Sequence, residues 1–240
     1  HGCIYCDSRS DCYHTPQFDQ VKAKADALRI IRDDLERKVK PGVVGTGSMS
    51  DPYNPFEETL LLTRHALTLL EAYGFGTAIA TKSDLILRDV DVLTSINRTM
   101  PAICKVTITT CDDGLAAKVE PRAPSPSRRL AAVERLSAAG LFTGILMMPV
   151  LPFLEDHADN IRAIVERAAD AGARFIYPAM GMTCRPGQRE YFYRQLDTRF
   201  PGQGLTERYQ RRYGTRYQCV SPKARALWEV FQEECARRGL

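Results

Sequence analysis

Short apolar runs rich in β-branched residues alternate with amphipathic segments along most of this 240-residue sequence. Within those segments, apolar residues recur every three or four positions, which is typical of helices with one buried face. Strands separated by helices form βαβ units, whose right-handed crossovers make the strands parallel. The sequence therefore predicts an α/β protein with a parallel sheet or barrel. The predicted strands are residues 43–46, 77–81, 103–109, 142–148 and 174–178, and the first predicted helix covers 20–38.

Local sequence marks the start of two of the predicted helices. Asn54, Pro55 and Glu57 have the order expected of an N-cap, a first helical residue and an acidic third residue, and this helix should end at Gly74. Ser125 followed by Pro126 predicts a second start of the same kind. Each start follows a predicted strand, which supports the alternating pattern.

Polar side chains cluster where the predicted strands end. In parallel α/β folds the loops at the carboxyl ends of the strands converge on one rim, and ligands bind there. We therefore expect the functional residues among these strand ends. They are Ser48, Ser50 and Asp51 after the first strand, Thr81, Lys82 and Ser83 after the second, Thr107, Thr109 and Thr110 at the third, Met147 and Met148 at the fourth, and Tyr177 and Ala179 at the fifth.

Composition and charge suggest the organisation of the chain. The sequence is 44% hydrophobic, contains no membrane-spanning apolar run and lacks a secretory signal pattern, so we expect a cytoplasmic protein with no membrane partner. Residues 185–240 contain 12 Lys or Arg against 6 Asp or Glu. We expect a core at 1–184 and, at 185–240, a basic, aromatic-rich helical extension packed on that core.

Eight cysteines are too scattered for a disulfide framework in a chain of this length, so we expect reduced thiols or metal ligands. Cys3 and Cys6 form a Cys-x-x-Cys pair that by itself is compatible with zinc, an iron-sulfur cluster, a redox disulfide or no ligand. A zinc ribbon would need a second Cys-x-x-Cys pair, and a thioredoxin-like motif would need a helix directly after this pair. The sequence has neither feature.

Four segments together are more specific: HGCIYCDSRS, GTGSMSDPYNP, ATKSDLILRD and VEPRAPSPSRRL. They resemble the radical S-adenosylmethionine (SAM) enzymes, in particular the spore photoproduct lyase-like branch, over residues 2–182. The resemblance implies a partial (βα)6 parallel barrel whose first strand is missing from an N-terminally truncated core. It also implies a Cys-x3-Cys-x2-Cys motif in which Cys3 and Cys6 are the last two cysteines. The first would fall two residues before His1.

The resemblance further implies two cofactors, a [4Fe-4S] cluster held by Cys3 and Cys6 and a SAM molecule that is cleaved reductively to a 5′-deoxyadenosyl radical. The electron would come from a reductant such as flavodoxin or ferredoxin. The SAM-binding positions that the resemblance implies are Tyr5 on the cysteine loop, Ser50 and Asp51 for the methionine amino group, Lys82 and Arg122 for the carboxylate, and Thr109 for the ribose. These side chains could instead form solvent-facing ion pairs, helix caps or turns.

The resemblance suggests a nucleic-acid substrate, although Ser48 occupies the position of the lyase's hydrogen-donating cysteine. Arginines alternate with tyrosines between residues 189 and 217, which is compatible with a nucleic-acid surface or, as we favour, with amphipathic helices whose tyrosines pack on the core. Radical modification of a protein or small metabolite, and a noncatalytic metal-binding or redox protein, are the alternative functions.

Overall fold

The computed structural model describes residues 1–240. Five strands form one sheet in the order β1-β2-β3-β4-β5, and every neighbouring pair is parallel. The predicted α/β parallel architecture is therefore confirmed, with strands close to the predicted positions. The strands are β1 (Val43–Thr46), β2 (Gly76–Thr81), β3 (Ala102–Thr107), β4 (Phe142–Met147) and β5 (Ile176–Pro178).

Helices connect successive strands and cover one face of the sheet. A second, antiparallel pair, β6 (Gly181–Thr183) and β7 (Gln218–Val220), was not predicted from the sequence. No helix of the structure is both long enough and apolar enough to cross a membrane. The helices are α1 (Ala27–Glu36), α2 (Glu57–Leu60), α3 (Leu62–Ala72), α4 (Val90–Asn97), α5 (Asp113–Val119), α6 (Pro126–Ala138), α7 (Ala158–Asp170), α8 (Gln188–Arg199), α9 (Leu205–Tyr213) and α10 (Ala224–Arg238).

Two helix starts differ from the sequence prediction. The first helix begins at Ala27 rather than at residue 20. The helix expected from Pro55 begins at Glu57, because Asn54 uses its side-chain oxygen to accept from the Phe56 amide in a turn that precedes the helix. Leu61, in the left-handed conformation with a φ of 54°, then separates α2 from α3. By contrast, α6 starts at Pro126 with Ser125 as its N-cap, as predicted.

The main core lies between the helices and one face of the sheet. Its 30 buried residues include Ile79 of β2, Cys104 and Val106 of β3, and Ile145 and Met147 of β4. Helix α10 joins this core through Leu227, Phe231 and Cys235, and it packs beside α7. The C-terminal helix therefore stabilises the βα layer directly.

A second core of 13 buried residues lies beyond the carboxyl ends of the strands. It combines the N-terminal loop, through Ile4 and Tyr5, with α8 and α9, through Phe192, Leu196 and Tyr209. The N-terminal loop and the C-terminal helices are thus held together by apolar contact, although they are nearly 200 residues apart in sequence. This core positions the cysteine loop above the sheet.

Candidate cofactor site at the carboxyl ends of the strands

The loop that carries Cys3 and Cys6 is fixed by backbone hydrogen bonds to the end of α5. The amide of Ile4 donates to the carbonyl of Val119 at 2.9 Å, and the amide of Arg122 donates to the carbonyl of His1 at 3.0 Å. From the other side, Nε2 of the Gln188 side chain donates to the backbone carbonyl of Tyr5 at 2.8 Å. The loop is therefore held between α5 and α8.

Cys3 and Cys6 are half-buried free thiols on this loop. Burial raises the pKa of Cys3 to about 11, although the nearby Lys82 ammonium opposes that shift. The residues of the structure contain no group of three or more His, Cys, Asp or Glu side chains placed to hold a metal ion. Cys6 contributes to the raised pKa of Cys3, so the two sulfurs lie near each other. Iron would bind Cys3 only after the thiol loses its proton, and the assignment of both thiols to a cluster stays a prediction.

Lys82 directly follows β2 and reaches the same place. Its ammonium nitrogen lies 5.8 Å from the centre of the Tyr5 ring, and no carboxylate oxygen is within 4.0 Å of it. Burial alone would lower the pKa of Lys82, but Cys3, Glu120 and Asp51 outweigh that effect and raise it. The result is a charged ammonium group next to the cysteine loop without a direct ion-pair partner.

Glu120 and Arg129 form a buried ion pair beneath the loop, which the sequence reasoning did not identify. Arg129 Nη2 donates to Glu120 Oε2 at 2.5 Å, and both side chains are about 1% exposed. The Tyr5 hydroxyl donates to the other oxygen of Glu120. Arg129 also donates to the carbonyl of Thr107 at 3.0 Å and thereby connects α6 to β3. The burial of Arg129 could have been noticed from the sequence, because Arg129 lies next to Leu130 on the apolar side of α6.

The Tyr5 side chain is buried, and burial together with Glu120 holds the pKa of its hydroxyl well above the ordinary value. The hydroxyl is therefore a protonated donor at every physiological pH. Its ring faces Lys82 while its backbone carbonyl is bound by Gln188. Tyr5 thus connects the cysteine loop, the buried ion pair and α8.

Asp51 and Ser50 follow β1 and differ in their surroundings. Asp51 Oδ1 accepts from the Thr81 hydroxyl at 2.6 Å, Asp51 Oδ2 accepts from the Lys82 amide at 2.7 Å, and His1 Nε2 lies 3.0 Å from Asp51 Oδ2. Ser50 is exposed. Asp51 therefore connects the end of β1 to the end of β2, whereas the hydroxyl of Ser50 faces solvent at the rim. Their assignment to the SAM amino group stays a prediction.

Thr109 and Arg122, the other two predicted SAM residues, also lie at this end of the sheet. The Thr109 hydroxyl is buried and donates to Glu155 Oε1 at 2.9 Å. Arg122 is exposed, and its side chain lies along the backbone of Gly2, where an added Cβ would be 3.6 Å from Arg122 Cδ. Arg122 is therefore beside the cysteine loop with its guanidinium accessible, while Thr109 belongs to a buried hydrogen-bond network.

The tyrosines and arginines of the C-terminal region have different environments. Tyr209 and Tyr213 are buried, and their hydroxyls donate to the carbonyls of Pro152 at 2.8 Å and Val220 at 2.7 Å. Exposed arginines of α9 include Arg208, whose guanidinium lies 4.4 Å from the centre of the Phe153 ring. These tyrosines therefore pack on the core, as we favoured, and the arginines form the solvent-facing side.

Solved structures identify the class of fold. Spore photoproduct lyase, a radical SAM enzyme, superposes on 98% of this chain and 70% of its own chain with a TM-score of 0.66 and 16% identity. The radical SAM protein SuiB of Streptococcus suis, bound to its precursor peptide SuiA, superposes on 73% of this chain and 35% of its own with a TM-score of 0.51. This chain has the partial parallel barrel of the radical SAM enzymes, and its fold is similar to that of spore photoproduct lyase.

Sequence comparison finds relatives that are longer than this chain. An uncharacterized protein of Mycobacterium tuberculosis is 30% identical over 220 residues, which are 89% of this chain and 64% of that protein. An uncharacterized protein of Methanocaldococcus jannaschii is 28% identical over 158 residues, which are 65% of this chain and 58% of that protein. The chain thus spans less than two thirds of the length of these relatives. No protein-family model matches the sequence.

Proposed function

We propose that this chain is the core of a cytoplasmic radical SAM enzyme that uses a [4Fe-4S] cluster to cleave SAM reductively. The observation that carries the proposal is the ammonium of Lys82. It lies beside Cys3 at the carboxyl ends of the parallel strands and has no carboxylate within 4.0 Å. A charged group of this kind is expensive to hold in a partly buried place unless an anion pairs with it. The SAM carboxylate is such an anion.

Different residues of the site bind the two cofactors. Cys3 and Cys6 supply two thiolates to the cluster, and the resemblance assigns the third to a residue ahead of His1. Lys82 and Arg122 bind the SAM carboxylate with charge-assisted hydrogen bonds. Tyr5, held by Glu120, keeps the loop in place. When bound and reduced, the cluster supplies the electron that breaks a carbon–sulfur bond of SAM, while the protein excludes water and orients the reactants.

Nucleic acid is the substrate class that we favour. Spore photoproduct lyase has been solved with SAM and a dinucleoside spore photoproduct, and that structure has a TM-score of 0.63 with this chain. The exposed arginines of α9 would add attraction for phosphates. Ser48, which is exposed after β1, replaces the lyase's hydrogen-donating cysteine, so we propose a radical reaction that differs from spore photoproduct repair. Flavodoxin or ferredoxin would be the reductant.

Two other functions have some support. The likeness to SuiB, solved with a precursor peptide, favours modification of a peptide as the second candidate. The third candidate is a noncatalytic metal-binding or redox protein, because the free thiols of Cys3 and Cys6 do not by themselves require SAM chemistry.

The test is reconstitution of the protein, expressed with any residues that its gene encodes ahead of His1. Iron and sulfide are added without oxygen, followed by dithionite and SAM, and 5′-deoxyadenosine is measured together with bound iron. We expect product with the unaltered protein and with Cys235→Ala, whose thiol lies in α10, and none with Cys3→Ala or Cys6→Ala. A loaded cluster that yields no 5′-deoxyadenosine would reject the radical enzyme and favour the noncatalytic alternative.

A further inference from the structure

Two buried thiols lie together on the antiparallel strands β6 and β7, outside the candidate cofactor site. Met182 of β6 pairs with Cys219 of β7, and the amide of Cys184, directly after β6, donates to the carbonyl of Tyr217 at 2.7 Å. Side chains alternate along a strand, so Cys184 and Cys219 lie on the same face as diagonal neighbours. They are 0% and 1% exposed, and both belong to the second core. We call Cys184 and Cys219 the buried thiol pair.

The two thiols of this pair differ in acidity. A hydrogen bond between them lowers the pKa of Cys184 and raises that of Cys219. The guanidinium of Arg189 also lowers the pKa of Cys184, although burial opposes the shift. By contrast, burial raises the pKa of the buried Cys104 to about 12 and also raises that of Cys235. Because the thiolate is the reactive form of cysteine, Cys184 is the nucleophile among these buried thiols.

Two buried polar atoms beside the buried thiol pair have no hydrogen-bond partner. They are Nε of Arg189 and the hydroxyl of Tyr193, one turn apart on α8. Arg189 donates through Nη2 to the carbonyl of Cys184. Burial, together with the charges of Cys184 and Cys219, raises the pKa of Tyr193 to about 12. A buried donor without a partner loses its hydration without compensation, and an oxygen atom bound here would supply the missing acceptor.

The surroundings of the buried thiol pair favour a small oxidant. Arg189 and Tyr193 are half-buried, so these two side chains of α8 extend from the surface to the thiols. A hydroperoxide has two oxygen atoms that accept hydrogen bonds, and it oxidises thiolates. Hydrogen peroxide is close in size to a water molecule, whereas a disulfide reagent needs an accessible thiolate. The two unpartnered donors and the more acidic thiol therefore fit a peroxide.

We propose that Cys184 and Cys219 form a peroxide-reactive site in which Arg189 and Tyr193 bind the oxidant. The thiolate of Cys184 attacks one peroxide oxygen, so that an S–O bond forms, the O–O bond breaks and the other oxygen takes up a proton and leaves as water. The deprotonated sulfur of Cys219 then attacks the sulfenic acid, forms the S–S bond and releases the second water. The two thiols lose two electrons, and the peroxide gains them.

Closure of the disulfide would act on the residues that support the cysteine loop. Diagonal neighbours in a sheet have Cα atoms ~7–8 Å apart, whereas a disulfide joins Cα atoms ~4.4–6.8 Å apart. The ends of β6 and β7 therefore have to draw together. Gln188 donates to the carbonyl of Thr183, which precedes Cys184, and to the carbonyl of Tyr5. Oxidation of the pair is thereby linked to the cysteine loop through Gln188.

The test treats the protein, expressed with any residues that its gene encodes ahead of His1, with hydrogen peroxide and an iron chelator. Catalase then removes the peroxide, and the remaining thiols are alkylated after denaturation. Cys184 and Cys219 lie in separate tryptic fragments, 175–189 and 217–223, each with one cysteine. We expect mass spectrometry to find the two fragments joined and dithiothreitol to separate them. Oxidation of Cys104 and Cys235 should be at least about tenfold slower.

Three variants test the roles of the individual residues. Cys219→Ser should stop the reaction at the sulfenic acid of Cys184, which dimedone labels on fragment 175–189. Tyr193→Phe deletes a hydroxyl that has no partner in the protein, and it should slow oxidation about fivefold because one contact to the oxidant is lost. Tyr191→Phe, a half-buried ring on the same helix, is the matched control and should leave the rate unchanged.

The inference is wrong if peroxide oxidises the exposed Cys12 but leaves Cys184 and Cys219 free for alkylation. It is also wrong if Cys104 and Cys235 are oxidised as fast as the pair, because the pair then has no reactivity of its own. An unchanged rate in Tyr193→Phe would overturn the assignment of the oxidant site. The inference does not rest on the proposed function, since neither thiol belongs to the cysteine loop. The 5′-deoxyadenosine assay and the peroxide experiment can therefore fail independently.

Discussion

The hydroxyl of Tyr5 donates to Glu120 while Arg129 binds the other oxygen of the same carboxylate. This arrangement joins the cysteine loop, the end of α5 and the start of α6 in one buried network. Removal of the Tyr5 hydroxyl or of Arg129 would leave one buried oxygen of Glu120 without its donor, and removal of Glu120 would leave both donors without their acceptor. The network therefore fixes the position of Cys3 and Cys6 relative to the sheet.

Tyr5→Phe keeps the ring and deletes the hydroxyl. We expect the free energy of unfolding to fall by about 1 to 2 kcal/mol, because Glu120 is left with an unsatisfied buried oxygen. Urea unfolding measures this difference. Tyr177→Phe, on an exposed ring, is the control and should change stability very little. Equal stability of Tyr5→Phe and the unaltered protein would show that the hydrogen bond does not hold the loop.

Lys82→Met removes the ammonium beside the cysteine loop. We expect SAM to bind at least about tenfold more weakly to the cluster-loaded protein, since the carboxylate loses its charge-assisted partner. Lys82→Arg should retain much of the affinity, and Lys40→Met should retain all of it. Calorimetric titration with SAM is the measurement, and unfolding curves verify that each variant is folded. An unchanged affinity in Lys82→Met would remove this residue from the SAM site.

Asp89 is the buried centre of an ion-pair network between α3 and α4. Its side chain is fully buried and accepts from Arg88 Nε at 2.8 Å, Arg64 Nη1 at 3.0 Å and the Tyr53 hydroxyl at 3.0 Å. Burial alone would raise the pKa of Asp89, but the two guanidinium groups outweigh it and lower the pKa below the ordinary 3.8. The charged form is therefore favoured by folding.

Asp89→Asn should lower stability by about 3 kcal/mol at pH 7, because two arginines lose their buried counter-charge. A carboxyl with a lowered folded pKa stabilises the protein above its unfolded pKa, and this contribution is lost as the pH falls through the folded value. The variant and the unaltered protein should thus converge below pH 4 in urea unfolding. Asp91→Asn, an exposed carboxylate on the same Arg64, should cost less than about 1 kcal/mol.

Glu155 should have the opposite pH dependence. It is fully buried, and burial raises its pKa well above the ordinary 4.5, although hydrogen bonds from Leu151 and Thr109 oppose the shift. A carboxyl with a raised folded pKa contributes its full stability below the unfolded pKa and loses it as the pH rises toward the folded value. Relative to the unaltered protein, Glu155→Gln should therefore become more stable as the pH is raised above 4.5.

Urea unfolding at several pH values between 4.5 and 8 measures this trend. Glu229→Gln, on the exposed side of α10, is the control and should follow the unaltered protein at each pH. A constant difference between Glu155→Gln and the unaltered protein would show that Glu155 keeps its ordinary titration in the folded state.

The order of the elements follows from local sequence. Alternating apolar runs and amphipathic segments predicted all five parallel strands, since the hydrophobic period is fixed by backbone geometry. The N-cap at Ser125 was likewise readable, because capping depends on residues within one turn. Asn54 shows the limit of such reading. The same side chain can cap a helix or close a turn, and in the structure it closes a turn ahead of α2.

Local sequence was enough to predict the parallel sheet, the rim at which the candidate residues lie, and the cysteine loop at its edge. The fold then sets which of those residues have partners: Asp51 accepts from the end of β2, Thr109 donates to Glu155, and Lys82 has no carboxylate within 4.0 Å. It also brought β6 to β7 and the cysteine loop to α8. These pairings join residues far apart in the chain, so they depend on how the faces pack together rather than on local periodicity or capping.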